Sequence, residues 1–235
     1  MCGKFTAMFS YRQVWKQENA FYQATGGDGS VPNKGADYEV TYRVMNNLPV
    51  IVFDLVTRAR RVAPMRWGFP HPKDWRRPQP IHARSETVET TKAFAGPFLD
   101  GQRGIVLMKT FNEAPDIEGP TIQHVITPGD EPALAAAFVW RRFEIEGQPA
   151  PMLACVLCTV PANALIATLP TDRMPAFLAH DDWATWLGEK EATVDEVKAC
   201  LRTVEGVKWT MTKEEKAASK KPRQKPTVSD PVGLL

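Results

Sequence analysis

Ala135-Ala136-Ala137-Phe138-Val139-Trp140-Arg141-Arg142-Phe143 and Met152-Leu153-Ala154-Cys155-Val156-Leu157-Cys158-Thr159-Val160 are two apolar and aromatic runs, with Glu146-Gly147-Gln148 between them. Runs of this kind bounded by turn residues read as strands, and the glycine-containing connection predicts a hairpin. Residues 38–44, 50–56, 105–108 and 122–126 have the same character, each bounded by Pro, Gly or Asp. Helical patterns cover residues 11–23, 161–168, 181–187 and 194–202, the last with Thr193 as its N-cap. Strands fill the middle of the chain and helices flank them. The expected fold is α+β: one domain over residues 1–210, built on a mostly antiparallel, barrel-like sheet flanked by helices. Residues 211–235 are polar and lysine-rich and read as a disordered basic tail.

The chain has 235 residues, 43% hydrophobic and 24% charged, which suits one sizeable globular domain. No apolar run approaches the ~18 residues of a membrane span, and the first residues lack a secretory pattern. A cytoplasmic protein with no membrane partner is the expectation. Four cysteines, at positions 2, 155, 158 and 200, are too few and too scattered for a disulfide framework. Cys155 and Cys158 have CxxC spacing, but no second cysteine or histidine pair completes a zinc site, so both read as strand residues. His71, His124 and His180 sit in ordinary loop or strand-end contexts and read as surface or capping residues.

Charge is uneven. Between Arg58 and Arg84 eight basic residues face Asp74 alone, so this segment carries +7 in a chain whose net charge is +2. Arg66, Arg76 and Arg77 lie in it beside Trp67 and Trp75. Basic residues interleaved with aromatics suit a groove that follows a single-stranded nucleic acid backbone and stacks its bases. A solvated charged surface is the competing reading.

The second residue is Cys2, in Met1-Cys2-Gly3-Lys4-Phe5. Trimming of Met1 exposes an α-amine beside the thiol. An amine condenses with an aldehyde to an imine, and a thiol two carbons away closes on that imine to give a thiazolidine. No internal cysteine does this, because its nitrogen is held in a peptide bond. A small buried residue at a strand start is the plain alternative. Three other segments hold chemistry: Met65-Arg66-Trp67-Gly68-Phe69-Pro70, Ile81-His82-Ala83-Arg84-Ser85-Glu86-Thr87, and Phe111-Asn112-Glu113 after an apolar run. A lone glutamate at a strand end usually faces solvent, whereas one near an N-terminal amine is able to move protons during imine formation.

Together with Thr159–Asn163 and Thr171-Asp172-Arg173-Met174-Pro175, these blocks resemble, in order and rough spacing, the SRAP (SOS-response-associated peptidase) family. The resemblance covers residues 2 to about 190. It implies covalent attachment of the N-terminal cysteine to abasic sites in single-stranded DNA, as a thiazolidine that shields the lesion. It implies Cys2 as the nucleophile through amine and thiol, Glu113 as the proton-shuttling carboxylate, Arg84 on a DNA phosphate and Trp67 in the loop bordering the DNA path. No metal or organic cofactor is needed for this chemistry, and the protein is expected to act as a monomer.

Two positions depart from the pattern. The family's active-site asparagine is His82 here, expected to donate to a sugar hydroxyl with a charge that varies around pH ~6.5. The family's acid-base histidine is Thr171 here, which does not titrate in this range, so slowed reversal of the crosslink is expected. A divergent member, phage-borne or from a side branch, fits these changes. The rival readings are a degenerate module that grips single strands without covalent chemistry, and an N-terminal-nucleophile amidotransferase. The latter needs an Asn-Gly element that this chain lacks.

Overall fold

The structure, a computed structural model, describes residues 2–9, 38–114, 122–129, 131–204 and 206–214. Its strands are β1 (Lys4–Phe9), β2 (Tyr38–Arg43), β3 (Asn47–Asp54), β4 (Ala59–Trp67), β5 (Pro70–His71), β6 (Asp74–Pro78), β7 (His82–Arg84), β8 (Arg103–Glu113), β9 (His124–Pro128), β10 (Leu134–Phe143), β11 (Met152–Pro161), β12 (Arg173–Pro175), β13 (Phe177–Leu178) and β14 (Trp209–Lys213). Short helices α1 (Ala95–Leu99), α2 (Trp183–Leu187) and α3 (Val194–Ala199) accompany them, with 3-10 turns at Ile166–Thr168 and His180–Asp182. No helix among the described residues is long and apolar enough to cross a membrane.

The two long apolar runs, 135–143 and 152–160, form the antiparallel pair β10–β11, with Phe138 opposite Leu157. From there the sheet closes on itself. β11 runs parallel to β4 at Cys155↔Trp67, β4 is antiparallel to β3, β3 meets β8 at Ile51↔Ile105, and β8 returns antiparallel to β10. The architecture is therefore α+β with a mostly antiparallel, barrel-like sheet. Residues 154–160 of β11 are all buried, because neighbours cover both faces, and a strand covered on both faces has no need of alternation. Cys155 and Cys158 lie here, both fully buried, as their apolar neighbours predicted. Gly104 lets β3 and β8 approach: a Cβ there would meet Val50 Cγ1 at 2.4 Å.

β8 serves two purposes along its length. Its first half belongs to the barrel, while residues 111–113 pair with β9 on one edge and residues 108–112 with β1 on the other. β14 extends the β9 edge, with Lys213 opposite His124. Buried Arg103 ties the helices to the start of β8, donating to Trp186 O at 2.5 Å and Phe98 O at 2.6 Å.

Several expectations change. The predicted helix at 161–168 is mostly strand end and turn: β11 runs through Pro161, and Asn163 Oδ1 accepts the Ile166 N–H at 2.9 Å, which holds a local turn. α3 stops at Ala199, although Thr193 caps it in a reciprocal box with Glu196 as expected. β4 was unforeseen, its strand character hidden by four arginines near or within it. β14 crosses the boundary drawn at residue 210, since Trp209 and Met211 are half-buried against exposed Thr210 and Thr212. The expected helix at 11–23, and the tail beyond 214, lie outside the described residues.

Candidate active site

Strand pairing delivers Cys2 to the end of β8. Lys4 is opposite Asn112 in the β1–β8 register, so the residues before Lys4 run alongside Glu113. The turn after β2 holds them there through a Val44 N–H to Gly3 O bond of 3.4 Å. Cys2 is 2% exposed and Glu113 is 1% exposed. The Cys2 thiol donates to Lys4 O at 3.3 Å. The Cys2 backbone N–H, whose nitrogen becomes an α-amine once Met1 is gone, faces the Glu113 carboxyl closely enough to favour its charged form. Two residues 111 positions apart in sequence thus share one buried pocket.

Burial sets the electrostatics. It raises the Cys2 thiol to about 12, and the Glu113 charge adds to that rise. The thiol is a protonated S–H at neutral pH. Glu113 is pushed above the ordinary carboxylate range, again by burial first, with the Cys2 N–H acting in the opposite direction. A carboxyl shifted upward in this way is a weaker acid and a stronger base than an exposed glutamate.

β7 supplies the opposite wall. Its neighbour β11 fixes it in parallel register, His82↔Leu157 and Arg84↔Thr159. Trp67 Nε1 donates to Ile81 O at 3.2 Å, directly before His82. His82 Nε2 lies 2.7 Å from Cys2 O. Burial lowers the His82 imidazole to about 4, so the ring is neutral through the physiological range. A carbonyl only accepts, so Nε2 carries the hydrogen and Nδ1 is left as an acceptor. The pH-variable charge expected for His82 is corrected by this burial. The expected donation to a sugar hydroxyl is corrected too, because the one N–H is already given to Cys2 and Nδ1 can only receive.

Two of the expected DNA contacts also change. Trp67 is fully buried, with its ring 5.1 Å from that of Phe5, so it offers no stacking face; it braces the segment before His82. Arg66 is 6% exposed and donates to Trp75 O at 2.5 Å and Arg76 O at 3.1 Å, which clamps the β5–β6 hairpin and leaves no fork for a phosphate. Gly68, at φ +104, turns the chain into that hairpin where a Cβ would meet Pro78 Cβ at 2.5 Å. Arg76, Arg77 and Arg84 are exposed. Arg84 lies two residues from His82 and so on the same face of β7. Arg76 lies over the Trp75 ring at 4.9 Å.

Thr171 is half-buried and donates to Arg173 O at 3.4 Å, within its own loop. Among the described residues no hydrogen bond joins it to Cys2 or His82. The blocks around it are structurally joined all the same: the Arg173 guanidinium grips both Glu86 oxygens at 2.6 and 2.9 Å. Asn112, quoted only as part of its segment, and His124, read as a surface or capping residue, are the residues near the site to which the sequence assigned no part in the chemistry. Asn112 is 3% exposed and gives its backbone N–H to the Cys2 sulfur. His124 stands opposite Glu113 in the β8–β9 register. Only strand pairing reveals this, since nothing in the local sequence of His124 distinguishes it from a strand-end histidine.

Residues 1–219 match the family model of the SOS response associated peptidases (SRAP), and the chain belongs to that family. Abasic site processing protein YoaM of Bacillus subtilis (strain 168) is 26% identical over 207 residues, covering 86% of this chain and 85% of that protein. Abasic site processing protein YoqW of Bacillus phage SPbeta is 24% identical over 209 residues, covering 86% and 87%. A solved structure of a protein from Bacteroides thetaiotaomicron shares the fold, with a TM-score of 0.69 and 18% identity over 90% of this chain and 92% of that one.

Proposed function

We propose that this protein processes abasic sites in single-stranded DNA by forming a covalent thiazolidine through Cys2 after loss of Met1. The observation that carries the reading is the burial of Cys2 and Glu113 together where the residues before β1 run alongside the end of β8, with the Cys2 N–H acting on the Glu113 carboxyl. The names of the relatives, abasic site processing proteins, support it.

The chemistry runs as follows from these side chains. Glu113 moves the proton that opens the sugar to its aldehyde. The Cys2 amine attacks the aldehyde carbon, one of its protons passing to the new hydroxyl; protonated Glu113 gives its proton to that hydroxyl, which leaves as water, and the resulting carboxylate takes back the remaining N–H proton, leaving the imine. The Cys2 S–H then adds across the C=N bond: sulfur bonds carbon and the proton ends on nitrogen, closing the ring. A thiol raised to about 12 favours this order, with the amine acting first. His82 holds the Cys2 carbonyl, which fixes the rotation of the nucleophile, and its Nδ1 accepts from a sugar hydroxyl. Arg84, Arg76 and Arg77 lie on phosphates.

Intact mass spectrometry of the full chain with an abasic single-stranded oligonucleotide tests this. The expected species is the protein minus Met1 plus the oligonucleotide minus water, absent in Cys2→Ala. A gel-stable adduct in Cys2→Ala, or none in the wild type, overturns the reading. In the second case, equal affinity for intact and abasic strands identifies a non-covalent binding module.

A further inference from the structure

Across β8, β9 and β14 one row of directly opposed residues runs Glu113, His124, Lys213. The next row on the same face is Phe111, Ile126, Met211, in which Phe111 and Ile126 are fully buried. This face therefore looks into the protein. Directly opposed side chains root about 4.5–5.5 Å apart at Cβ, so His124 and Glu113 leave the sheet as neighbours, although no hydrogen bond or ion pair among the described residues joins them. The His124 Nδ1 is buried and makes no hydrogen bond among the described residues. A buried nitrogen without a partner is uncommon in a folded protein and calls for a use. The charged groups facing His124 are Glu113 from β8 and the exposed Lys213 from β14. Lys4 of β1 turns to the other face, where it pairs with Glu214.

We propose that His124 is a positioning residue for Glu113, its imidazole turning onto that carboxyl as the abasic sugar reacts, orienting it and exchanging a proton with it. The inference rests on the crosslinking reading. When Glu113 passes its proton to neutral His124, carboxylate and imidazolium result, and return of the proton restores both; no other bond changes. Glu113 has to be basic at sugar opening and acidic at loss of water, and a neighbouring imidazole lets one buried carboxyl alternate between the two.

The test is a time course of adduct formation with an abasic single-stranded oligonucleotide, comparing wild type, His124→Gln and His124→Phe between about pH 5 and 8. Both variants are expected to be slower by about tenfold and to lose part of the wild type's pH dependence. Wild-type rates and an unchanged pH profile overturn the proposal. Slower rates with an unchanged profile do so as well, because they mark a packing role alone. If the variants do not fold, the ring nitrogen NMR signals of His124 are compared between wild type and Glu113→Gln. They are expected to move while those of His71 and His180 stay, and an unmoved His124 signal overturns the pairing. A wild type that forms no adduct sinks the crosslinking reading instead, and the same NMR comparison still decides whether the two side chains meet.

Discussion

A neutral imidazole at position 82 leaves a pH signature on stability. In the unfolded chain His82 takes a proton at its ordinary value of 6.5, whereas in the folded protein it does so only at about 4. Between those values the unfolded state binds more protons, so stability is complete above pH 6.5 and falls as the pH drops toward 4. The loss amounts to at most about 3 kcal/mol. Glu86 and Glu196 have lowered carboxyls, whose contributions disappear only below their ordinary 4.5, while raised Glu113 acts above 4.5 with the opposite sign, so the comparison with a His82 variant isolates the imidazole. Urea unfolding at several pH values is expected to show this decline in wild type and its absence in His82→Asn; identical curves would refute it. At this scale the sequence told much about identity and less about state. Cys2, Glu113 and His82 were visible as motif residues. The tautomer and charge of His82 were not, because the first depends on a carbonyl 80 residues away and the second on burial by the folded chain. Trp67 misleads for the same kind of reason: tryptophan among arginines looks like a stacking platform until Phe5, from β1, covers it.

The β5–β6 hairpin shows how a charged residue can be an internal part. Arg66, at the end of β4, reaches under the hairpin to two backbone carbonyls, and its guanidinium nitrogens also meet the sulfurs of Met45 and Met152. Replacing it with leucine removes the donors while leaving the carbonyls of Trp75 and Arg76 beneath a folded hairpin. The expected cost is about 2–4 kcal/mol of global stability, with early proteolysis between residues 70 and 78. Urea midpoints and limited proteolysis measure both, and a midpoint equal to wild type argues against the clamp. Elements of this kind are the least legible in a sequence. β10 and β11 were found from composition because both faces are buried, whereas β4 was hidden by its arginines. β7 is three residues long and exists only because β11 offers it an edge. β14 is five residues whose alternation merges into a lysine-rich run.

Over the whole molecule the basic segment separates into structural and available charge. Of its eight cations, Arg66 is an internal clamp, Arg60 is held by Glu189 at 2.5 Å and Arg61 by Asp54 at 3.0 Å. The other five, Arg58, Lys73, Arg76, Arg77 and Arg84, are exposed, and Arg84 shares a face of β7 with His82. A cation that neutralises a phosphate releases a counterion, and on single strands each such phosphate adds about 0.7 to the slope of log affinity against log salt. The triple variant Arg76→Ala, Arg77→Ala, Arg84→Ala is therefore expected to bind single-stranded DNA with a slope shallower by about 2. It should melt within about 2 °C of wild type, since exposed substitutions seldom move stability by more than ~0.5 kcal/mol. Fluorescence anisotropy over a salt series and a thermal melt give the two readouts. An unchanged slope places the DNA path elsewhere on the barrel. A changed slope with a collapsed melting temperature shows that these arginines, like Arg66, belong to the fold.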